Sequence, residues 1–498
     1  MQLGKYFGSG LKRFFSGMML SRVSGLGRDL VMAYAFGDHA AVGAFIVAFR
    51  FANVLRRFFG EGPLQSAFIP QFEGIRQENR EEATVFFQKL SVLIGGLVLA
   101  IILGVEGGLW VWGHSEILHL TGWMLPSLLF ISLYGLNVSF LQCHNRFFVS
   151  SMAPFLCNVM WMAGALSLRH AEIHEAMAGL AKWVLGGFVI QWVATAWQLR
   201  GDLTWKGWFQ GSLLHRGVKE LAKAFSLGAL GVGAVQINAF FDAIFARVAH
   251  PSGPVYLWYA NRFQQLALAI FGIAAVNTLV PVLSRAIKGG EHEKGREIFS
   301  FGCRRVLMLM IPMTFAICVL GLSAIDLVFG HGSFSAHATE QTAWCLSAYA
   351  LGLVPSTLVM YYAAVFYAQG NFRTATLFSL LTVGVNLGLN SLFIFAWGWG
   401  PISTALATSI GAWCNFLGLR SRLKGWKMGM TFRELGGVVL GSGIASGAAF
   451  TLQGHLGHKI LEFGVPGAVF VAVILLLFGK RLFDDRAAET NRVVVEDH

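Results

Sequence analysis

Charge is what this sequence lacks. Of 498 residues only 13% are Asp, Glu, Lys or Arg, about half the share usual in a soluble globular domain. Acids are the scarcer sign, 26 against 38 bases. The longest polar connection, 199–223, is too short to bury a core of its own, so no soluble domain is inserted. The six cysteines (Cys143, Cys157, Cys303, Cys318, Cys345, Cys414) fall in or beside apolar runs, without a Cys-x-x-Cys pair or a zinc spacing. That excludes a disulfide framework and a thiolate metal site; they read as small buried hydrophobes. Low-complexity tracts are missing as well.

What the chain has instead is apolar length. Hydrophobic residues make up 55% of it and the mean hydropathy is +0.60. At about 20 residues per crossing, spans begin near Tyr6, Ala40, Thr84, Ile117, Phe148, Ala176, Val218, Val255, Ile298, Glu340, Arg373, Trp399, Phe432 and Lys459. The expected fold class is an all-α polytopic membrane protein of about 14 transmembrane helices. Alternate connections carry the bases: Arg76, Arg80 and Lys89, then Arg146, Arg200 to Lys219, Arg285 to Arg296, Arg373, and Arg420 to Lys427. The other connections are nearly bare, so the positive-inside rule puts the basic set and both termini in the cytoplasm. Lys5, Lys12 and Arg13 precede an apolar run as in a signal peptide, but Arg22 and Arg28 interrupt it; it reads as an uncleaved span. The net charge of +12 is spread between spans, which suits anionic membrane lipids and not nucleic acid. Fourteen spans could be two repeated halves, 1–210 and 211–425, plus two additional helices (426–482) and a cytoplasmic tail (483–498), an arrangement common among transporters.

Some charges stand where lipid should be. A charge at mid-membrane depth costs roughly 2.5–3.5 kcal/mol on the lenient insertion scales, yet "MMLSRVSGLGRDLVMAYAFG" (18–37) holds Arg22, Arg28 and Asp29. Arg22 and Asp29, seven residues apart, share a helix face, and one reading is an internal ion pair. Arg28 points elsewhere on an ideal helix unless Gly25 and Gly27 unwind the segment. The second span carries Arg50, Asn53, Arg56 and Arg57; the plainer reading has Arg56 and Arg57 snorkelling at the cytoplasmic interface. "GEGP" (60–63) reads as a turn, with Pro63 opening a short amphipathic helix. In "VYLWYANRFQQLALAIF" (255–271), Arg262 has no acid within a turn of it, which argues against a structural role. Arg22, Arg28, Arg56 and Arg262 come from three spans, and with Asn53 and the single acid Asp29 they make a cationic interior. Guanidinium forks match phosphate oxygens in pairs. The expected cargo is therefore a phosphorylated or diphosphate compound, moved without covalent chemistry.

A second polar set comprises Asp242, one turn after Asn238, and the pair Asn386 and Asn390, with Thr404 and Thr408 following. Such oxygens could hold a sodium ion; the alternative is interhelical hydrogen bonding. Asp326, close to the outer end of its span, needs no special role, and "FAWGWGP" (395–401) reads as an interfacial aromatic belt.

The motifs "SRVSGLGRD" (21–29), "NVLRRFFGEGPLQSAFIP" (53–70), "NRFFVSSMAPFLCN" (145–158), "YANRFQQLALAIFGIAAVNTLVPVLS" (259–284) and "FYAQGNFRTA" (366–375) occur in order. In them the chain resembles the MurJ (MviN) lipid II flippases of the multidrug/oligosaccharidyl-lipid/polysaccharide exporter superfamily. The resemblance implies two six-helix lobes around a central cavity, in a transporter that moves undecaprenyl-diphosphate-linked peptidoglycan precursor between leaflets of the bacterial cytoplasmic (inner) membrane. Its implied partners are lipid II, anionic lipids and cell-wall synthesis enzymes. Arg22, Arg28, Arg56 and Arg262 fall where the family keeps cavity arginines, and Asp29, Asn53 and Glu61 match motif positions. The last two helices would supply a groove for the lipid tail. Some relatives bind sodium near the positions of Asp242, Asn386 and Asn390; no other cofactor is implied. The chain departs from the family at Gly43, Asn261, Gln265 and Asn390, where acids are common. Two other readings are a cation-coupled multidrug exporter, whose cavity acids are scarce here, and a membrane-embedded glycosyltransferase or ligase. For the latter, His114, Glu116, His174 and Glu175 sit on short loops without a recognisable constellation.

Overall fold

A run of apolar residues in lipid must satisfy its backbone internally, and the helix is the way one segment does so. The computed structural model describes residues 2–59, 63–112, 115–203 and 236–482, together with Trp208, Leu221 and Phe225. All regular structure among the described residues is helical. The first compact unit, Met1–Arg247, holds α1 (Gln2–Phe36), α2 (Ala40–Phe59), α3 (Pro63–Glu78), α4 (Arg80–Trp112), α5 (Glu116–Met124), α6 (Ser127–Cys143), α7 (Phe148–Ser167) and α8 (Ile173–Leu199). Most of α9 (236–249) belongs to it too. The second unit, Val248–His498, holds α10 (Gly253–Ala267), a π-helical turn (Leu268–Ile273), α11 (Ala274–Lys288), α12 (His292–Phe329), α13 (Ala336–Ala350) and α14 (Leu353–Ala368). It continues with α15 (Phe372–Ser391), a second π-turn (Leu392–Ala396), α16 (Ile402–Arg422), α17 (Phe432–Phe450) and α18 (Lys459–Leu482).

Ten helical stretches among the described residues are long and apolar enough to cross a membrane. This is a multi-pass membrane protein. The remaining expected spans are α1 and α2, which carry the unusual charges, α17, and the span ending in α9, whose expected start at Val218 lies outside the described residues. Pro63 opens α3 as the sequence predicts, its missing N–H costing nothing in a first turn; residues 60–62 and the tail 483–498 lie outside the described residues.

Local chemistry sets the ends. Gly37, at φ 60°, closes α1 in the left-handed region, and His39 Nδ1 then accepts the Ala41 N–H as α2 begins. Thr431 and Glu434 form a capping box at the start of α17.

Lipid gives helices no hydrophobic reason to associate, so close backbone approach and polar contacts take over. A Cβ on Gly164 would stand 2.5 Å from the Trp183 ring, joining α7 to α8, and one on Gly302 would meet the Tyr361 ring at 2.4 Å, joining α12 to α14. In the first unit Phe68, Phe72, Phe86, Phe87 and Phe140 form a buried aromatic block. In the second, Phe299 packs against Tyr361, Tyr362 and Trp426. Large apolar side chains such as Leu103, Leu440 and Leu476 point outward, as a bilayer-facing surface requires.

The two additional helices are tied along α12. Arg304 pairs with Glu434 at 3.2 Å, Gln453 Nε2 donates to the Val319 carbonyl at 2.8 Å, and Lys459 Nζ reaches Asp326 Oδ1 at 2.8 Å and the Gly330 carbonyl at 2.7 Å. Asp326 thus has a structural partner that its position in the sequence did not suggest.

Candidate anion-binding site

Arg28 is the best-anchored cation in the first unit. Its Nε and Nη2 donate to Asp29 Oδ1 at 3.0 and 2.8 Å, its Nη1 donates to Asn158 Oδ1 on α7 at 3.2 Å, and its guanidinium lies 4.6 Å over the Trp161 ring. Asn158 is itself held, its Nδ2 donating to Ser24 Oγ at 2.9 Å and to the Ser21 carbonyl at 3.3 Å. Trp161 is braced edge-on by Phe45 and Phe49 of α2. The Arg28 side chain is 13% exposed and that of Asp29 2%. A guanidinium has five N–H donors; Arg28 commits three of them to protein oxygens. Two remain for an outside acceptor.

The pairing differs from the one the helix wheel suggests. Asp29 engages Arg28, its neighbour, while Arg22 is exposed and has no hydrogen bond or ion pair among the described residues. The i, i+7 geometry puts Arg22 and Asp29 on one face but two turns apart, whereas Arg28 folds back locally onto the carboxylate.

On α2, Arg56 is partly buried, with its guanidinium 5.7 Å from the Phe188 ring of α8. Its Nε and the Oδ1 of Asn53 are buried with no hydrogen-bond partner among the described residues. Arg28 thus faces α7 and Arg56 faces α8. Arg50 is turned to a structural task, its Nη1 donating to the Ala239 carbonyl of α9 at 3.0 Å. Arg57 is exposed at the end of α2. Glu61 lies outside the described residues.

In the second unit Arg262 projects from α10 one turn from Trp258, its guanidinium 4.6 Å over that ring. Gln264 Nε2 donates to the Tyr349 carbonyl at 3.3 Å, linking α10 to α13, and the π-turn follows directly. Such turns recur at functional positions inside helices.

The oxygens considered for sodium divide between the units. Asp242 is on α9, with Asn238 Nδ2 donating to its Oδ2 at 3.1 Å. Asn386 and Asn390 are buried between α15 and α16. There Asn390 Nδ2 donates to Asn386 Oδ1 at 2.9 Å, Asn386 Nδ2 to Thr408 Oγ1 at 3.1 Å, and Thr408 Oγ1 to the Thr404 carbonyl at 3.1 Å. The second unit's residues contribute neutral groups whose amide hydrogens already occupy the Asn386 oxygen. They make the interhelical hydrogen bonds that are the alternative to a sodium site.

Asn158 and Trp161 are functional candidates that sequence reasoning missed. Asn158 closes a quoted motif but carries no charge, and Trp161 looks like any apolar span residue; only the packing of α1 on α7 gives them Arg28. The residues weighed for a glycosyltransferase are partly assembled. His174 Nδ1 lies 2.7 Å from Glu116 Oε1, and Arg247 Nη2 is 4.0 Å from Glu116 Oε2. Glu175 serves α8, its N–H donating to Glu172 Oε2, and His114 lies outside the described residues.

Comparison with known proteins gives the family. Residues 32–453 match the family profile described as "Lipid II flippase MurJ". A probable lipid II flippase MurJ of Chlamydia pneumoniae is 31% identical over 408 residues, covering 80% of this chain and 74% of its own. One from Vibrio cholerae is 28% identical, covering 94% and 96%. Among solved structures, a lipid II flippase MurJ in an inward closed conformation superposes with a TM-score of 0.79 at 21% identity over 95% of this chain and 99% of its own. An inward-facing multidrug-resistance MATE transporter of the MOP superfamily gives 0.66 at 17% identity over 83% and 98%. With a profile match across most of its length and relatives of this similarity, the chain belongs to the MurJ lipid II flippase family.

Proposed function

We propose that this protein moves lipid II from the cytoplasmic to the outer leaflet of the bacterial inner membrane by alternating access, with both termini in the cytoplasm. The observation that carries the reading is the set of arginines held inside apolar helices with donors to spare. Arg28 is fixed in place with two N–H groups uncommitted, and Arg56 has a buried Nε–H without an acceptor among the described residues. Each needs an anionic oxygen, and the diphosphate of lipid II supplies several in the geometry guanidinium groups prefer. Arg22 and Arg262 add charge to the same recognition, and Asp29 and Asn53 orient it. The long isoprenoid tail stays in lipid, alongside α17 and α18. A cytoplasm-negative potential helps expel the anionic head group, by about 2.3 kcal/mol per charge per 100 mV. No step is assigned to sodium.

The test is a leaflet-accessibility assay for lipid II in cells depleted of the protein and supplied with variants. Arg28→Ala and Arg262→Ala are each expected to leave a folded, membrane-inserted protein that moves no lipid II. Full restoration of growth and outward lipid II by either variant overturns the assignment.

A further inference from the structure

Trp161 lies at the centre of the first unit's site, yet its indole N–H is unused. The residue is 3% exposed, and its Nε1 is buried without a hydrogen-bond partner among the described residues. Leaving a buried donor unmet costs about 1–3 kcal/mol, and a bicyclic ring of equal size without the N–H would fill the same space without that cost. The ring's apolar duties are visible: one face takes the Arg28 guanidinium at 4.6 Å, and Phe45 and Phe49 pack edge-on at 5.6 and 5.0 Å. None of them needs the N–H. The orphan donor therefore belongs to the ring that carries the Arg28 guanidinium. Arg56 Nε–H is a second orphan donor on the facing helix α2. An unmet indole N–H beside a guanidinium suits an acceptor that carries negative charge.

We infer that Trp161 is a cargo-binding residue: its ring positions Arg28, and its indole N–H donates to a phosphate oxygen of the diphosphate when the site opens. This rests on the diphosphate reading above and adds to it a neutral donor on α7. The N–H is covered together with most of Arg28, and both are uncovered by the same movement.

The experiment replaces the N–H and nothing else. Trp161 is exchanged for 3-benzothienylalanine, which has sulfur in its place at nearly equal volume, and in parallel Trp161→Phe is made. Lipid II flipping is measured in proteoliposomes as a function of lipid II content, alongside the melting temperature in detergent. Losing one hydrogen bond to a charged acceptor is expected to raise the half-saturating lipid II content about tenfold or more. The maximal rate and melting temperature should stay near wild type. A benzothienyl protein with wild-type half-saturation overturns the inference, since the donor then serves only water. Arg28→Ala in the same vesicles separates the two ideas. If it is inactive while the benzothienyl protein matches wild type, only the role of Trp161 falls; if it too is fully active, the diphosphate reading falls with it.

Discussion

Arg28 shows what keeps a guanidinium inside an apolar helix: an adjacent carboxylate, and an amide and an aromatic face from α7. Lysine offers three rotatable donors on a point charge and cannot meet that combination. Arg28→Lys is therefore expected to fail in complementation, whereas Arg22→Lys, at an exposed position without a partner among the described residues, should sustain growth; spot dilution of the depleted strain reads both. Asn158→Leu removes one anchor of Arg28 and the amide that donates to Ser24 Oγ. It should lower flipping about tenfold, the effect of a lost hydrogen bond to a charged group, as measured in proteoliposomes. The arginines themselves were legible in the sequence because a charge in a long apolar run stands out. Their partners were not. Whether Asp29 serves Arg22 or Arg28 depends on rotamers and on the approach of α7, and neither leaves a trace in residue spacing.

At the scale of elements, the spans were legible because length and hydropathy decide them, and the loops alternate in charge. The breaks were harder to see. The π-turns at Leu268–Ile273 and Leu392–Ala396 lie in uninterrupted apolar sequence, where one extra residue per turn leaves the composition unchanged. The glycines that set helix spacing were equally silent. Gly164 and Gly302 differ from the many other glycines only in what stands opposite, Trp183 and Tyr361. Gly164→Leu and Gly302→Leu should each destabilise by about 1–3 kcal/mol or more through overpacking, seen as a lower melting temperature of the purified protein. Gly436→Leu, on α17 with nothing within 4 Å of its Cβ position, should melt like wild type.

For the whole molecule, the bias of bases toward alternate connections gives a testable sidedness. A fluorescent protein joined to the C-terminus should glow, and alkaline phosphatase joined there should be inactive; the opposite pair of results would invert the topology. α17 and α18 pack on each other and lean on α12 through Arg304, Val319 and Asp326. They are, in effect, an appendage carried by one helix. A protein stopped after Met430 should accordingly stay monodisperse in detergent, lose the ability to carry the full undecaprenyl cargo, and still carry an analogue cut to a short prenyl chain. Gripping a phosphate and guiding a tail would then be separable trades within one polypeptide.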